Sequence, residues 1–244
     1  KNQNMLSFNK RIKLKIKKII YRNSLQKIGE CTGSDKVYGH KFIPIYENYF
    51  QDLRKKKLNI LEIGIGGYED PNSGGESLLM WSEYFKNSKI TGADLFKKDL
   101  NLPNRVKTIA LDQSNPEELE KLGTTRGGFD IIIDDGSHVS SHVILTFLTL
   151  WKYLNNNGLY IVEDTQTSYW TKLGGYDNPN DNRATTFFSK LTDGLNYKEF
   201  LGDYKPSMIE EGLKFIHFYH NIIIIKKNTQ GKKSLFVKDG KLLL

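Results

Sequence analysis

Two apolar runs in the second half of the chain each end in adjacent carboxylates. Residues 129–138 read Phe-Asp-Ile-Ile-Ile-Asp-Asp-Gly-Ser-His, and 158–164 read Gly-Leu-Tyr-Ile-Val-Glu-Asp. Runs of this length, rich in Ile and Val and bounded by Gly and Asp, are strands buried on both faces of a sheet. Ligands of open α/β sheets bind outside the carboxyl ends of the strands. Asp134, Asp135, Glu163 and Asp164 are therefore expected to converge at one edge, with His138 beside them. Crowded carboxylates repel and are costly to desolvate. A hard divalent cation reverses that cost, and Mg²⁺ prefers such oxygens. The competing explanation is a set of solvated helix caps, a common use of Asp.

The strands before these two fix the class. Residues 57–67, Lys-Leu-Asn-Ile-Leu-Glu-Ile-Gly-Ile-Gly-Gly, form an apolar strand running into glycines, with Glu62, Gly64 and Gly66 at its end. Glycine allows a turn to approach a ligand where a Cβ would clash. The full dinucleotide fingerprint is absent. Lys89–Asp94 is a second strand ending in an acid, placed where a carboxylate accepts from a ribose diol. A third, 105–110, leads to Asp112 and Gln113, which either read an adenine edge or cap a helix. Between 129–134 and 158–163, residues 139–154 have the apolar density of a crossover helix that turns Val143, Phe147, Leu150, Trp151 and Leu154 inward. Repeated strand–helix alternation predicts a doubly wound, mostly parallel sheet. Residues 213–219 and 221–226 add a late antiparallel hairpin, which suits a methyltransferase core better than a dehydrogenase. The tail from 228 reads as a turn and a short strand. A long excursion at 165–185, carrying Tyr169, Trp170 and Tyr176, reads as a lid or substrate wall.

The chain has 244 residues and one cysteine, Cys31. A disulfide framework and a thiolate metal cluster are thereby excluded. The net charge of +8 is local: residues 1–29 hold nine Lys or Arg and no acid, while the other 215 hold 27 basic and 28 acidic residues. No nucleic-acid partner is expected of the main domain, which lacks a basic surplus. Residues 1–29 form a basic arm and 30–244 the main domain. Between 11 and 18 the arm alternates like an edge strand, yet from 12 to 20 Ile12, Ile16, Ile19 and Ile20 also recur at helical spacing. Such an arm packs on the domain or a partner subunit, or lies peripherally on an anionic membrane. No apolar stretch suits a membrane span or a signal peptide, so a cytoplasmic protein is expected.

At Glu62-Ile-Gly-Ile-Gly-Gly, Asp134-Asp-Gly-Ser-His138 and Glu163-Asp-Thr-Gln-Thr-Ser-Tyr-Trp170 the chain resembles the metal-dependent sugar O-methyltransferases, relatives of the mycinamicin and macrocin enzymes, a family that includes members named cephalosporin hydroxylases. Thr32-Gly-Ser-Asp-Lys36 with His40 and Tyr46, Gly74-Gly-Glu-Ser-Leu78, Met80-Trp81 and Asp112-Gln113 are also similar. The resemblance runs from about 30 to 227. It implies a class I S-adenosylmethionine-dependent methyltransferase fold with a seven-stranded sheet. It implies S-adenosylmethionine as cofactor and Mg²⁺ on Asp135, Glu163 and Asp164, with His138 as general base. Glu62, Gly64, Gly66, Asp94, Asp112, Gln113 and Asp134 fall to the cofactor side. The acceptor it implies is a sugar hydroxyl, macrolide sugars being the substrates of its best-known members, and the assembly a homo-oligomer. Of the acceptor contexts open to this chain, a glycan precursor, an antibiotic sugar or another secondary metabolite, a bacterial surface polysaccharide is the one expected here.

The residue chemistry agrees, since histidine titrates near neutrality and a polarised hydroxyl yields its proton more readily. The alternatives are a methyltransferase acting on a non-sugar vicinal diol or catechol, a non-catalytic S-adenosylmethionine-binding protein, and a nicotinamide oxidoreductase. Titration with NAD and S-adenosylmethionine separates the last from the rest. S-Adenosylhomocysteine release with candidate diols separates enzyme from binder.

Overall fold

The computed structural model describes residues 24–173, 182–229, 231 and 233–243. Three short helices come first: α1 (Leu25–Thr32), α2 (Asp35–Tyr38) and α3 (Ile43–Phe50). The alternating part follows as β1 (Asn59–Ile63), α4 (Glu76–Tyr84), β2 (Lys89–Asp94), β3 (Val106–Ala110), α5 (Pro116–Arg126), β4 (Phe129–Asp134), α6 (Ser140–Leu150) and β5 (Leu154–Glu163). After 3₁₀ turns at Thr165–Tyr169 and Thr171–Leu173 come α7 (Ala184–Lys190), α8 (Met208–Gly212), β6 (Leu213–Tyr219) and β7 (Ile222–Lys227). The strand order is β3-β2-β1-β4-β5-β7-β6. All pairings are parallel except those of β7 with β5 and β6. This is the expected doubly wound sheet of seven strands with a late antiparallel hairpin. The tail forms a separate two-stranded ribbon, Val237–Lys238 with Lys241–Leu242, in place of one short strand.

Helices cover both faces. Ile60, Ile131, Ile133, Leu159 and Ile161 pack on the α1–α4 side with Tyr46, Phe50, Trp81 and Phe85. Leu61, Ile63, Ile132, Tyr160 and Val162 pack on the α5–α7 side with Phe147, Leu150, Trp151 and Phe188. Period-two alternation of side chains explains the division. The expected boundary between arm and domain at 29/30 falls inside α1, whose Leu25 and Ile28 are core residues. Ser24 caps this helix by accepting from the Lys27 amide. The crossover helix ends at Leu150, and residues 151–153 form a 3₁₀ turn. Strand β5 starts at Leu154 rather than 158, because Leu154 pairs with Phe129 ahead of a bulge that absorbs polar Asn155–Asn157. All five inward residues named for this segment are buried.

Candidate active site

The β1–β4–β5 register sorts the acidic residues. Ile63 is opposite Asp134, and Asp134 opposite Val162. One step further on, Gly64, Asp135 and Glu163 form a row, and Glu62, two residues before Gly64, points to the same face. Glu62, Asp135 and Glu163 accordingly converge above the α1–α4 core. Asp134 points to the opposite face. It accepts from Gln113 Nε2 at 2.6 Å and from the Tyr160 hydroxyl at 3.4 Å. Of the four carboxylates expected at one edge, Asp134 is thus turned away by the strand alternation. Asp164 returns to the cluster because the strand has ended: its backbone is left-handed, with φ of 53°. His138 is also left-handed, with φ of 57°. Such backbone is uncommon outside glycine and tends to occur at functional sites.

Ligand atoms of Asp135, His138 and Asp164 lie within 4.8 Å of one another. His138 Nε2 is 3.8 Å from Asp164 Oδ2, and His40 Nδ1 is 2.9 Å from Asp164 Oδ1. Glu163 is adjacent but turned to other partners. Its Oε1 receives the Tyr46 hydroxyl and Lys36 Nζ, the latter at 2.8 Å. Lys36 also meets Asp135 Oδ2 at 2.7 Å and Glu62 Oε1 at 3.3 Å. Burial alone would lower the Lys36 pKa, but Asp135, Glu163 and Glu62 raise it well above the usual range. Burial raises Glu62, Asp135 and Glu163, and Lys36 opposes the rise in each.

Three carboxylates against one ammonium leave an excess of negative charge, with Asp164 adding to it. Oxygen donors in excess of nearby cations suit a divalent ion with a hard-oxygen preference. Among the described residues, the ligand atoms grouped closely enough for one such ion are those of Asp135, His138 and Asp164, with Glu163 adjacent and engaged by Lys36 and Tyr46.

Each residue assigned to the cofactor side has a definite place. Gly64 has φ of 81°, and a Cβ there would sit 1.9 Å from the Asp135 carbonyl oxygen. The turn after β1 therefore lies directly against the end of β4. Gly64→Ala should lower stability by about 3 kcal/mol or more through strain and this collision, read as a drop in the denaturant midpoint. Gly66, φ of 72°, has no such backbone contact. Asp94 accepts from the Ile65 and Phe96 amides, both at 3.1 Å, and so fixes the same turn. Glu62 accepts from Ser77 Oγ at 2.8 Å. Asp112 accepts from the amide and hydroxyl of Ser114 and lies in the turn ahead of α5, whose cap is Asn115. Gln113 is spent inside the protein: it donates to Asp134 and accepts from the Ser137 amide at 2.8 Å. That bond ties down the loop carrying His138.

Burial pushes the Asp134 carboxyl up to about 7, with the Gln113 hydrogen bond opposing. An acid whose folded pKa exceeds its unfolded value loses stability as pH rises from the unfolded value to the folded one. Asp134→Asn should remove this cost. The variant should gain stability progressively between about pH 4 and 7, on the order of 3 kcal/mol at the upper end, in urea melts taken across that range.

Among the other histidines, His142 Nδ1 is 3.0 Å from Ser137 Oγ and His217 Nδ1 is 2.7 Å from the Tyr49 hydroxyl. In the 165–185 excursion, Tyr169 and Trp170 are about half exposed and Arg183 lies over the Tyr169 ring. Tyr176 lies outside the described residues. Lys36 and Tyr46, both bound to Glu163, are site residues to which sequence reasoning attached no role.

No family model matches the chain. Among curated proteins it is 39% identical over 201 residues to the 8-demethyl-8-alpha-L-rhamnosyl tetracenomycin-C 2'-O-methyltransferase of Streptomyces olivaceus, covering 82% of this chain and 53% of that protein. It is 36% identical to the mycinamicin VI 2''-O-methyltransferase of Micromonospora griseorubida, covering 79% and 50%. Among solved structures, the MycE methyltransferase of mycinamycin biosynthesis, in complex with Mg and SAH, superposes with a TM-score of 0.81 at 32% identity, covering 88% of this chain and 57% of that one. The chain spans about half the length of the curated relatives it matches.

Proposed function

We propose that this chain, which has the class I S-adenosylmethionine-dependent methyltransferase fold, belongs with the sugar O-methyltransferases of the tetracenomycin, mycinamicin and macrolide pathways to which it is similar, and that it methylates a sugar hydroxyl. The observation that carries the reading is the grouping of Asp135, His138 and Asp164 within 4.8 Å at the carboxyl ends of β4 and β5. S-Adenosylmethionine is the donor, and the acceptor is a sugar-bearing small molecule. A divalent ion, Mg²⁺, held by Asp135, Glu163 and Asp164, supplies Lewis-acid polarisation of the acceptor hydroxyl.

The chain's own residues do the rest. The Gly64–Gly67 turn, braced by Asp94, borders the donor, with Glu62 beneath it. His138 Nε2 accepts the proton that the hydroxyl loses as its oxygen takes the methyl group. The proton goes to the imidazole, the new C–O bond forms as the S–C bond breaks, and S-adenosylhomocysteine leaves. Gln113 holds the His138 loop through the Ser137 amide. Tyr169 and Trp170 offer exposed rings for stacking on a sugar.

Among the described residues no helix is long and apolar enough to cross a membrane. The cytoplasm stays the proposed location, and the relatives' names favour a glycosylated metabolite as acceptor over a surface polysaccharide. The basic arm leaves peripheral membrane contact and homo-oligomer assembly as further parts of the proposal. Its residues 1–23 lie outside the described ones. A deletion that tests the arm should stop at residue 23, since Leu25 is core. Less flotation with anionic liposomes after that deletion supports the membrane part, and equal flotation removes it.

Methyl transfer from labelled S-adenosylmethionine to a panel of deoxysugar glycosides, with catechol as control, tests the activity. Label in a glycoside that depends on Mg²⁺ supports it. Label only in catechol moves the assignment to the non-sugar alternative.

A further inference from the structure

Lys36 is fully buried, an unusual position for lysine. Its ammonium touches carboxylates from three neighbouring strands: Glu62 of β1, Glu163 of β5 and Asp135 just past β4. It arrives from α2, outside the sheet, so its place does not follow from the strand alternation that gathers the acids. Glu62 also accepts from Ser77 Oγ at the start of α4, whereas Asp135 and Glu163 belong to the set proposed to hold a divalent ion. The ammonium occupies one oxygen of each of those two.

We propose that Lys36 is a tethered counter-cation of the metal site, holding its carboxylates together in the metal-free protein and competing electrostatically with the incoming ion. This rests on the reading that the site holds a divalent ion. Without any cation, the buried carboxylates would face one another uncompensated, which strongly disfavours the fold. With Lys36 present they are partly neutralised, so the empty site persists. The same positive charge repels the ion that binds beside it. The consequence is a site that stays assembled without metal and binds the ion less tightly than its carboxylates alone would.

The experiment measures Mn²⁺ affinity and thermal unfolding of the intact protein, with chelator and with saturating Mn²⁺, for wild type, Lys36→Met and Lys36→Gln. Both neutral variants should melt well below wild type under chelation and recover most of the difference in Mn²⁺. Their Mn²⁺ affinity should be tighter, on the order of tenfold. Unchanged or weaker affinity in a folded variant overturns the proposal. So does an equal loss of melting temperature with and without Mn²⁺, which marks a purely architectural lysine. Variants that fail to fold even in saturating Mn²⁺ overturn it too, because the ion should do what the ammonium does. Wild type that binds no Mn²⁺ fails the metal reading itself and is distinguishable from all of these.

Discussion

Replacing His138 with Ala should leave the protein folded and able to bind S-adenosylmethionine and Mg²⁺, while turnover falls by about 10²–10⁴-fold, the usual worth of a positioned acid–base group. The expectation follows from geometry. His138 sits on the loop after β4, its backbone held left-handed, with Nε2 facing the Asp164 carboxylate at 3.8 Å. The side chain is about one-quarter exposed, open enough to meet an acceptor. It lies one residue from Ser137, whose amide is fixed by Gln113. Donor and metal affinities within a few-fold of wild type, measured by titration calorimetry, would place the loss in the chemical step. Near-native turnover in the folded variant would remove His138 from the mechanism.

Stripping divalent ions should take methyl transfer below detection, and added Mg²⁺ should restore it. Asp164→Asn should weaken Mg²⁺ binding sharply and leave S-adenosylmethionine binding nearly intact. Asp164 lies just past β5, two strands over from β1 and its glycine turn, and shares its oxygens with His40 and His138. Full activity after exhaustive chelation would contradict the Lewis-acid role.

The strands were legible because apolar runs ending in Gly or Asp leave few alternatives; β2, β4 and β6 have the bounds read from sequence. The start of β5 was not, since Asn155–Asn157 read as a turn and are carried in a bulge. At the site, Asp135, His138 and Asp164 come together as their spacing suggested. Adjacent strand residues face opposite ways, so a stricter use of that rule would have set Asp134 apart from Asp135. Where a chain turns after its last strand residue is a tertiary matter, and the left-handed backbone of Asp164 had no sequence signal. Asp112 and Gln113 read equally well as adenine readers or helix caps; the cap is Asn115, Asp112 bonds its neighbour Ser114, and Gln113 bonds Asp134 and the Ser137 amide across the fold. Lys36 was the hardest to see, as a lysine in a short polar segment is ordinarily solvated. Its one signal was indirect: so many buried carboxylates call for a resident cation.

The most direct measurement is a crystal structure with S-adenosylhomocysteine, Mg²⁺ and a rhamnoside or related deoxysugar glycoside. The predicted result has the ion on Asp135, Glu163 and Asp164, the donor product over the Gly64–Gly67 turn, and one sugar hydroxyl between His138 Nε2 and the sulfur. A sugar bound away from that line, or an ion held by other residues, would contradict the account.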